Sequence, residues 1–266
     1  MKEPLVSVIV PVYNAERKLR ASAGSVINQD YRNIEVLLVN DGSTDDSLSI
    51  CSELVAKDSR FRLYDQPNGG PGAARNTALQ AAEGEYVLFV DSDDELLPGA
   101  ITSLVRAMQE SDLVIGCYYF EQSGNAKKRG LVNQNCTMNR DTFLSIYVKK
   151  PGSYYFSALW NKLYRMEIIQ SMQLQFVTGL DWGEDFIFNT EYNNAVHRVS
   201  FITECVYRYT RTVSGITLRT LHKVIENILT KKRMYLALKK LFMDQGTYAQ
   251  YRLYVTRYIF NITLFN

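Results

Sequence analysis

Four residues, Asp91-Ser92-Asp93-Asp94, set three carboxylates directly behind the apolar run Tyr86-Val87-Leu88-Phe89-Val90. A short apolar run bounded by polar residues reads as a buried strand. In open α/β sheets ligands bind beyond the carboxyl ends of strands, so these acids stand where a substrate would sit. Clustered anions repel one another unless a cation lies between them, and oxygen ligands suit Mg2+ or Mn2+. Such an ion, held by one or two carboxylates, commonly completes its octahedron with substrate phosphate oxygens. The strand end reads as a platform for a metal and a phosphate.

Positioning these acids requires a sheet, and the chain supplies its strands in order. Val6–Val12 reads as a first strand, followed by a helix over residues 15–28 and a second strand over 34–39. The polar turn Asn40-Asp41-Gly42-Ser43-Thr44-Asp45-Asp46 precedes the helix Ser47–Lys57, with Asp45 and Asp46 as its expected caps. A third strand at residues 61–64 leads to the Gly-rich turn Asn68-Gly69-Gly70-Pro71-Gly72 and a helix running to Ala82. That turn is expected to position Arg75. Residues 86–90 form the fourth strand, 101–110 a helix and 113–120 a further strand. Strands alternating with helices imply an α/β fold with a predominantly parallel sheet flanked by helices.

Beyond it, residues 121–151 read as a polar loop with a short helix at 140–148, the run Lys127-Lys128-Arg129 being solvated surface. Helices are expected at Met166–Ser171 and 186–194, the second behind a loop presenting Gly183-Glu184-Asp185. Two amphipathic helical patterns follow, separated near Gly246.

If the sheet is parallel, the end of the first strand, the Asp41 turn, Arg75 and the acidic strand end converge. Such a pocket fits a nucleoside diphosphate. Asp41 is placed to accept from the N3–H of a pyrimidine, and the backbone around Pro11-Val12-Tyr13 to flank that base. Arg75 is in reach of the metal-held acids or a phosphate.

These segments resemble glycosyltransferase family 2, the inverting nucleotide-sugar transferases of the GT-A fold. The likeness runs through Val8-Ile9-Val10-Pro11-Val12-Tyr13-Asn14, Val39-Asn40-Asp41-Gly42-Ser43-Thr44-Asp45 and Asn68 to Asn76. It continues in Val90-Asp91-Ser92-Asp93-Asp94, Trp160-Asn161-Lys162-Leu163-Tyr164 and Gly183-Glu184-Asp185. The resemblance implies a catalytic domain over residues 1–215, with a nucleotide half to about residue 120 and a sugar and acceptor half beyond. It implies that Pro11, Val12, Tyr13, Asn14, Asp41, Asn68, Arg75, Asp91 and Ser92 hold the nucleotide of a UDP-sugar donor. Asp91 and Asp93 match the Asp-x-Asp metal motif, Asp93 the more direct ligand of Mn2+ or Mg2+. Asp185 matches the general base and Glu184 its neighbour on the sugar or acceptor. Trp160, Lys162 and Trp182 are expected at the sugar or acceptor pocket, and Arg211 and Ser214 at the leaving diphosphate. Expected acceptors are a glycan or lipid-linked hydroxyl in surface polysaccharide or glycoconjugate assembly. Two alternatives stay open: a sugar-1-phosphate nucleotidyltransferase, and a non-catalytic nucleotide-sugar-binding assembly module.

The net charge of +2 gives no reason to expect nucleic acid, but its distribution is uneven. Residues 215–266 hold nine Lys/Arg against two Asp/Glu, a local +7 on a body of −5. A basic amphipathic extension over 216–266 is expected either to dock on an anionic membrane surface or to pack on the body or in a homodimer. Four scattered cysteines without a Cys-x-x-Cys pair favour a reducing compartment, and the apolar start is closed by Pro11, unlike a signal peptide. With no run of about 18 apolar residues, the expected place is the cytoplasm or the inner membrane face. The helical pattern persists to Thr263-Leu264-Phe265-Asn266, as in a piece of a longer chain. His197 and His222 pair with no ligand spacing and receive no role.

Overall fold

The computed structural model describes residues 3–122, 124–180, 182–210 and 222–264, with backbone alone for 222–226 and 259–264. Arg211 and Ser214 lie outside the described residues.

The apolar runs form strands β1 (Val6–Val12), β2 (Ile34–Asp41), β3 (Phe61–Gln66) and β4 (Tyr86–Phe89), joined in parallel in the order β3-β2-β1-β4. Their registers set Val8 beside Val36 and Ile9 beside Phe89. Every residue of β2 and β4 is buried, as continuous apolar strands covered on both faces must be. Strand order reverses at β1, so a crevice opens where the carboxyl ends of β1 and β4 diverge. Around it lie helices α1 (Leu19–Ile27), α2 (Ser47–Lys57) and α3 (Pro71–Ala81).

The second half is antiparallel or mixed, with β5 (Glu95–Leu96) and α4 (Ala100–Met108) leading into β6 (Leu113–Gln122). The expected loop over 121–151 is corrected. It contains β7 (Asn125–Arg129), antiparallel to β6, and β8 (Cys136–Asn139), before helix α5 (Arg140–Tyr147). All five side chains of β7 are exposed, so the segment carries no apolar alternation that would mark it as a strand. After α6 (Tyr154–Ser157), β9 (Lys162–Arg165) inserts antiparallel between β4 and β6. Then come α7 (Met166–Ser171), α8 (Glu184–Tyr192) and the long β10 (Arg198–Thr210), parallel to β6.

The tail forms α9 (His222–Asp244) and α10 (Tyr248–Leu264), parted by Gly246 at φ +67°. Met234, Leu238, Leu241, Phe242 and Val255 are buried among the core side chains, so the extension packs on the body that holds the sheet. Among the described residues no helix is long and apolar enough to cross a membrane. The four cysteines are unpaired, Cys51 and Cys117 being buried.

Candidate active site

Two loops form one side of the crevice. After β1, Asn14 turns left-handed at φ +48°, and its Oδ1 accepts from the Thr44 N–H at 2.8 Å. The Ser43 hydroxyl accepts from the Asn14 N–H at 3.1 Å, closing the link between the β1 and β2 loops. Asp45, not Asp46, is the working cap: its carboxylate accepts from the N–H groups of Ser47 at 3.0 Å and Glu16 at 3.1 Å. This tie holds residues 16–18 in turns, so α1 begins at Leu19 rather than Ala15.

Asp41 ends β2 with only 2% of its surface exposed. Its carboxylate accepts from Gln66 Nε2 at 2.7 Å and from the N–H groups of Gly69 at 2.9 Å and Gly70 at 2.8 Å. Asn68 donates to the Asp41 carbonyl at 2.9 Å. The glycine turn is thus wrapped around a carboxylate at the N-terminus of α3, where the helix dipole favours an anion. Val12 is buried, Pro11 half-buried and Tyr13 53% exposed.

One turn into α3, Arg75 points from the helix into the crevice, 4% exposed. Its Nη2 donates to Asp91 Oδ1 at 3.0 Å, and its Nη1 to Asp185 Oδ1 at 2.8 Å and Glu184 Oε1 at 3.1 Å. Its guanidinium carbon lies 5.5 Å from the ring centre of Phe176, which stacks on Phe188 at 4.2 Å. Asn76 clamps the same segment, exchanging bonds with the Phe176 carbonyl at 2.9 Å and N–H at 2.7 Å. A single cation thus joins acids 94 positions apart in the chain.

The loop after β4 is fixed by the Asp91 N–H donating to Tyr207 Oη at 3.1 Å and by Ser22 donating to the Asp91 carbonyl at 3.1 Å. Ser92 is buried, Asp93 is exposed, and Lys18 reaches the Asp93 carbonyl at 3.2 Å. Asp94 faces inward and accepts from the Thr210 N–H at 3.1 Å, its pKa pushed up to about 8 by burial and by Asp93. The described residues hold no group of three or more side chains that would by itself cage a metal ion. Two carboxylates beside an open crevice fit an ion that draws its remaining ligands from a diphosphate.

Gly183 opens α8 at φ +89°, and a Cβ there would lie 3.0 Å from Met234 Sδ and 3.1 Å from Thr230 Cγ2 of α9. The tail helix therefore sits against the corner that presents Glu184 and Asp185. Trp182 donates to Asn227 Oδ1 on the same helix at 2.6 Å. Burial raises the Asp185 pKa to about 7 against the pull of Arg75, with Glu184 and Asp91 adding to the rise.

A cleft of about 880 Å³ contains Asp91, Asp185, Trp160 and Trp182. Trp160 lies flat on Tyr207 at 4.5 Å and on Tyr209 at 5.6 Å. Lys162, expected at the pocket, is not among the cleft residues. Its Nζ is buried and donates to the carbonyls of Tyr155 at 3.0 Å and Ala158 at 2.5 Å and to Asn161 Oδ1 at 2.9 Å. Lys149, Lys150 and Tyr154 on one wall, and Lys231, Met234, Tyr254, Arg257 and Tyr258 from the tail, escaped the sequence reading. For the tail residues the only signal was the basic excess of residues 215–266.

The model of the Glycosyl transferase family 2 matches residues 7–172. The chain belongs to that family. This member is similar to the putative glycosyltransferase EpsH of Bacillus subtilis, 36% identical over 85% of this chain and 67% of that one. It spans between 30% and 63% of the next three curated relatives. Its fold matches S. aureus TarS in complex with UDP-GlcNAc, TM-score 0.71 at 23% identity over 91% and 73% of the two chains. It also matches a mannosyltransferase of Pyrobaculum calidifontis in complex with GDP-Man and Mn2+, TM-score 0.59 at 16% identity over 99% and 87%. The family 2 glycosyltransferase thus has an α/β fold with a mostly parallel mixed sheet.

Proposed function

We propose that this glycosyltransferase moves one sugar from a UDP-sugar, with inversion, to a hydroxyl of a glycan or lipid-linked acceptor in surface polysaccharide assembly. The observation that carries the reading is that Asp91 and Asp185 line one cleft, each bonded to Arg75. The base pocket is assigned to Pro11, Val12, Tyr13 and Asp41. Asp185 takes the proton of the acceptor hydroxyl, and the freed oxygen bonds to the anomeric carbon opposite the nucleotide. The bond from that carbon to the β-phosphate oxygen breaks, and UDP leaves with the electron pair. Asp91 and Asp93 would hold Mg2+ or Mn2+, which when bound supplies positive charge to the departing diphosphate.

Exposed Ile228, Leu229, Leu236 and 83%-exposed Leu253 lie on the tail with Lys232, Arg233 and Arg252. This combination supports a peripheral seat on an anionic membrane surface. The test of the main reading is UDP release from a panel of UDP-sugars with Mn2+, with product configuration read by NMR. Inverted product and free UDP are expected. Pyrophosphate formation from a sugar 1-phosphate and UTP would instead establish the nucleotidyltransferase.

A further inference from the structure

Two acids, Asp91 and Asp185, share the cleft with the cations Lys149, Lys150, Lys231 and Arg257. Asp91 and Asp185 are both paired with Arg75. Lys149 and Lys150, just after α5, and Arg257, on α10, line the same cleft, are exposed, and form no ion pair among the described residues. Lys231 of α9 also lines the cleft but is already engaged within the protein. Cations gathered in a cleft from separate elements raise the local concentration of anions there.

The placement of this basic wall is fixed by packing. Phe186, next to the proposed base, stacks on Tyr258 at 5.3 Å with the rings 8° from parallel. Across the cleft, a Cβ on Gly152 would lie 2.8 Å from Tyr258 Oη, so α10 is seated closely against the loop that follows Lys150. Arg257, Lys149 and Lys150 therefore face a shared space bounded by Asp185 and by the aromatic faces of Tyr154 and Tyr209, themselves 5.6 Å apart.

We infer that this wall is an acceptor subsite for phosphate: the alcohol that receives the sugar carries a phosphate group, which Lys149, Lys150 and Arg257 bind beside Asp185. A carboxylate brings one negative charge and leaves this many cations mostly unmatched, whereas a phosphate brings up to two and matches the fork of a guanidinium. The site is built jointly by the catalytic body and the tail, which gives the extension a role in substrate choice. The inference deepens the proposed transferase reading and rests on it for the word acceptor.

The test is calorimetry on the whole chain, saturated with UDP and Mn2+ so that the donor side is filled. Glucose 1-phosphate, decyl phosphate and methyl glucoside are titrated in turn. Both phosphates are expected to bind at least tenfold more tightly than the neutral glucoside. In Lys150→Gln/Arg257→Gln that advantage is expected to vanish while UDP binds as before, which also shows that the variant is folded. Tighter binding of decyl phosphate would make the phosphate a lipid headgroup, and tighter binding of glucose 1-phosphate a soluble one; either supports the subsite. Equal affinity for the glucoside, or phosphate binding untouched in the double variant, overturns it. Failure of the wild type to bind UDP would refute the donor reading instead, and the phosphate titrations would then be read without nucleotide.

Discussion

Arg75 holds Asp91 and Asp185 with the two terminal nitrogens of one guanidinium, at 3.0 Å and 2.8 Å. The acid assigned to the metal and the acid assigned to the proton thus share a buried counter-charge. Replacing Arg75 with Ala leaves three acids facing each other without it. Breaking a buried pair costs about 3–5 kcal/mol, and the 30% exposure of both aspartates places this case near 3. Urea denaturation is expected to show that loss. Arg75→Lys restores part of the stability but not turnover, because an ammonium does not reproduce the fork that spans both acids.

With Asp185 as the proposed base, its raised pKa is expected to set the pH dependence of turnover. A base must be ionised to accept a proton, so kcat is expected to climb with pH and reach half its plateau near 7. Stability follows the opposite sign. The folded protein holds this proton more tightly than the unfolded chain, so the contribution is fully present below about pH 4 and is lost as pH rises through about 7. A kcat that is flat from pH 5 to 8 would remove Asp185 from the role.

Asp41 is both a proposed base-pocket residue and the hub of the glycine turn. Asp41→Ala strips partners from Gln66 and from the Gly69 and Gly70 N–H groups, at about 1–3 kcal/mol for buried donors left unpaired. Thermal unfolding is expected to register this loss without any ligand. Titration with UDP should in addition show at least tenfold weaker binding.

Gly183→Ala tests the seat of the tail. A left-handed φ of +89° and a contact 3.0 Å from Met234 Sδ both oppose a methyl group. Left-handed backbone alone costs about 1–2 kcal/mol. The variant is expected to lose that much stability and to lower kcat by shifting Asp185. UDP affinity should hold.

Much of the site was legible because its residues sit at the ends of apolar strands or inside glycine turns, where local chemistry marks them. Asp91 behind β4, Asp41 at the end of β2 and Arg75 behind Gly70-Pro71-Gly72 are such cases. Strand β10 was not legible, because its alternation slips at the register shifts between Phe201 and Cys205 and between Cys205 and Tyr207. The resemblance put Lys162 at the sugar or acceptor pocket, yet here its ammonium ends among three oxygen acceptors contributed by the polypeptide, a burial that no local sequence feature marks. The tail helices were found by periodicity, but periodicity does not say which surface they cover.

The most direct measurement is turnover and UDP affinity of Asp185→Asn with Mn2+. Loss of the base predicts a fall in kcat of about 10²–10⁴-fold with UDP binding within twofold of wild type. Near-normal transfer by that variant would contradict the account.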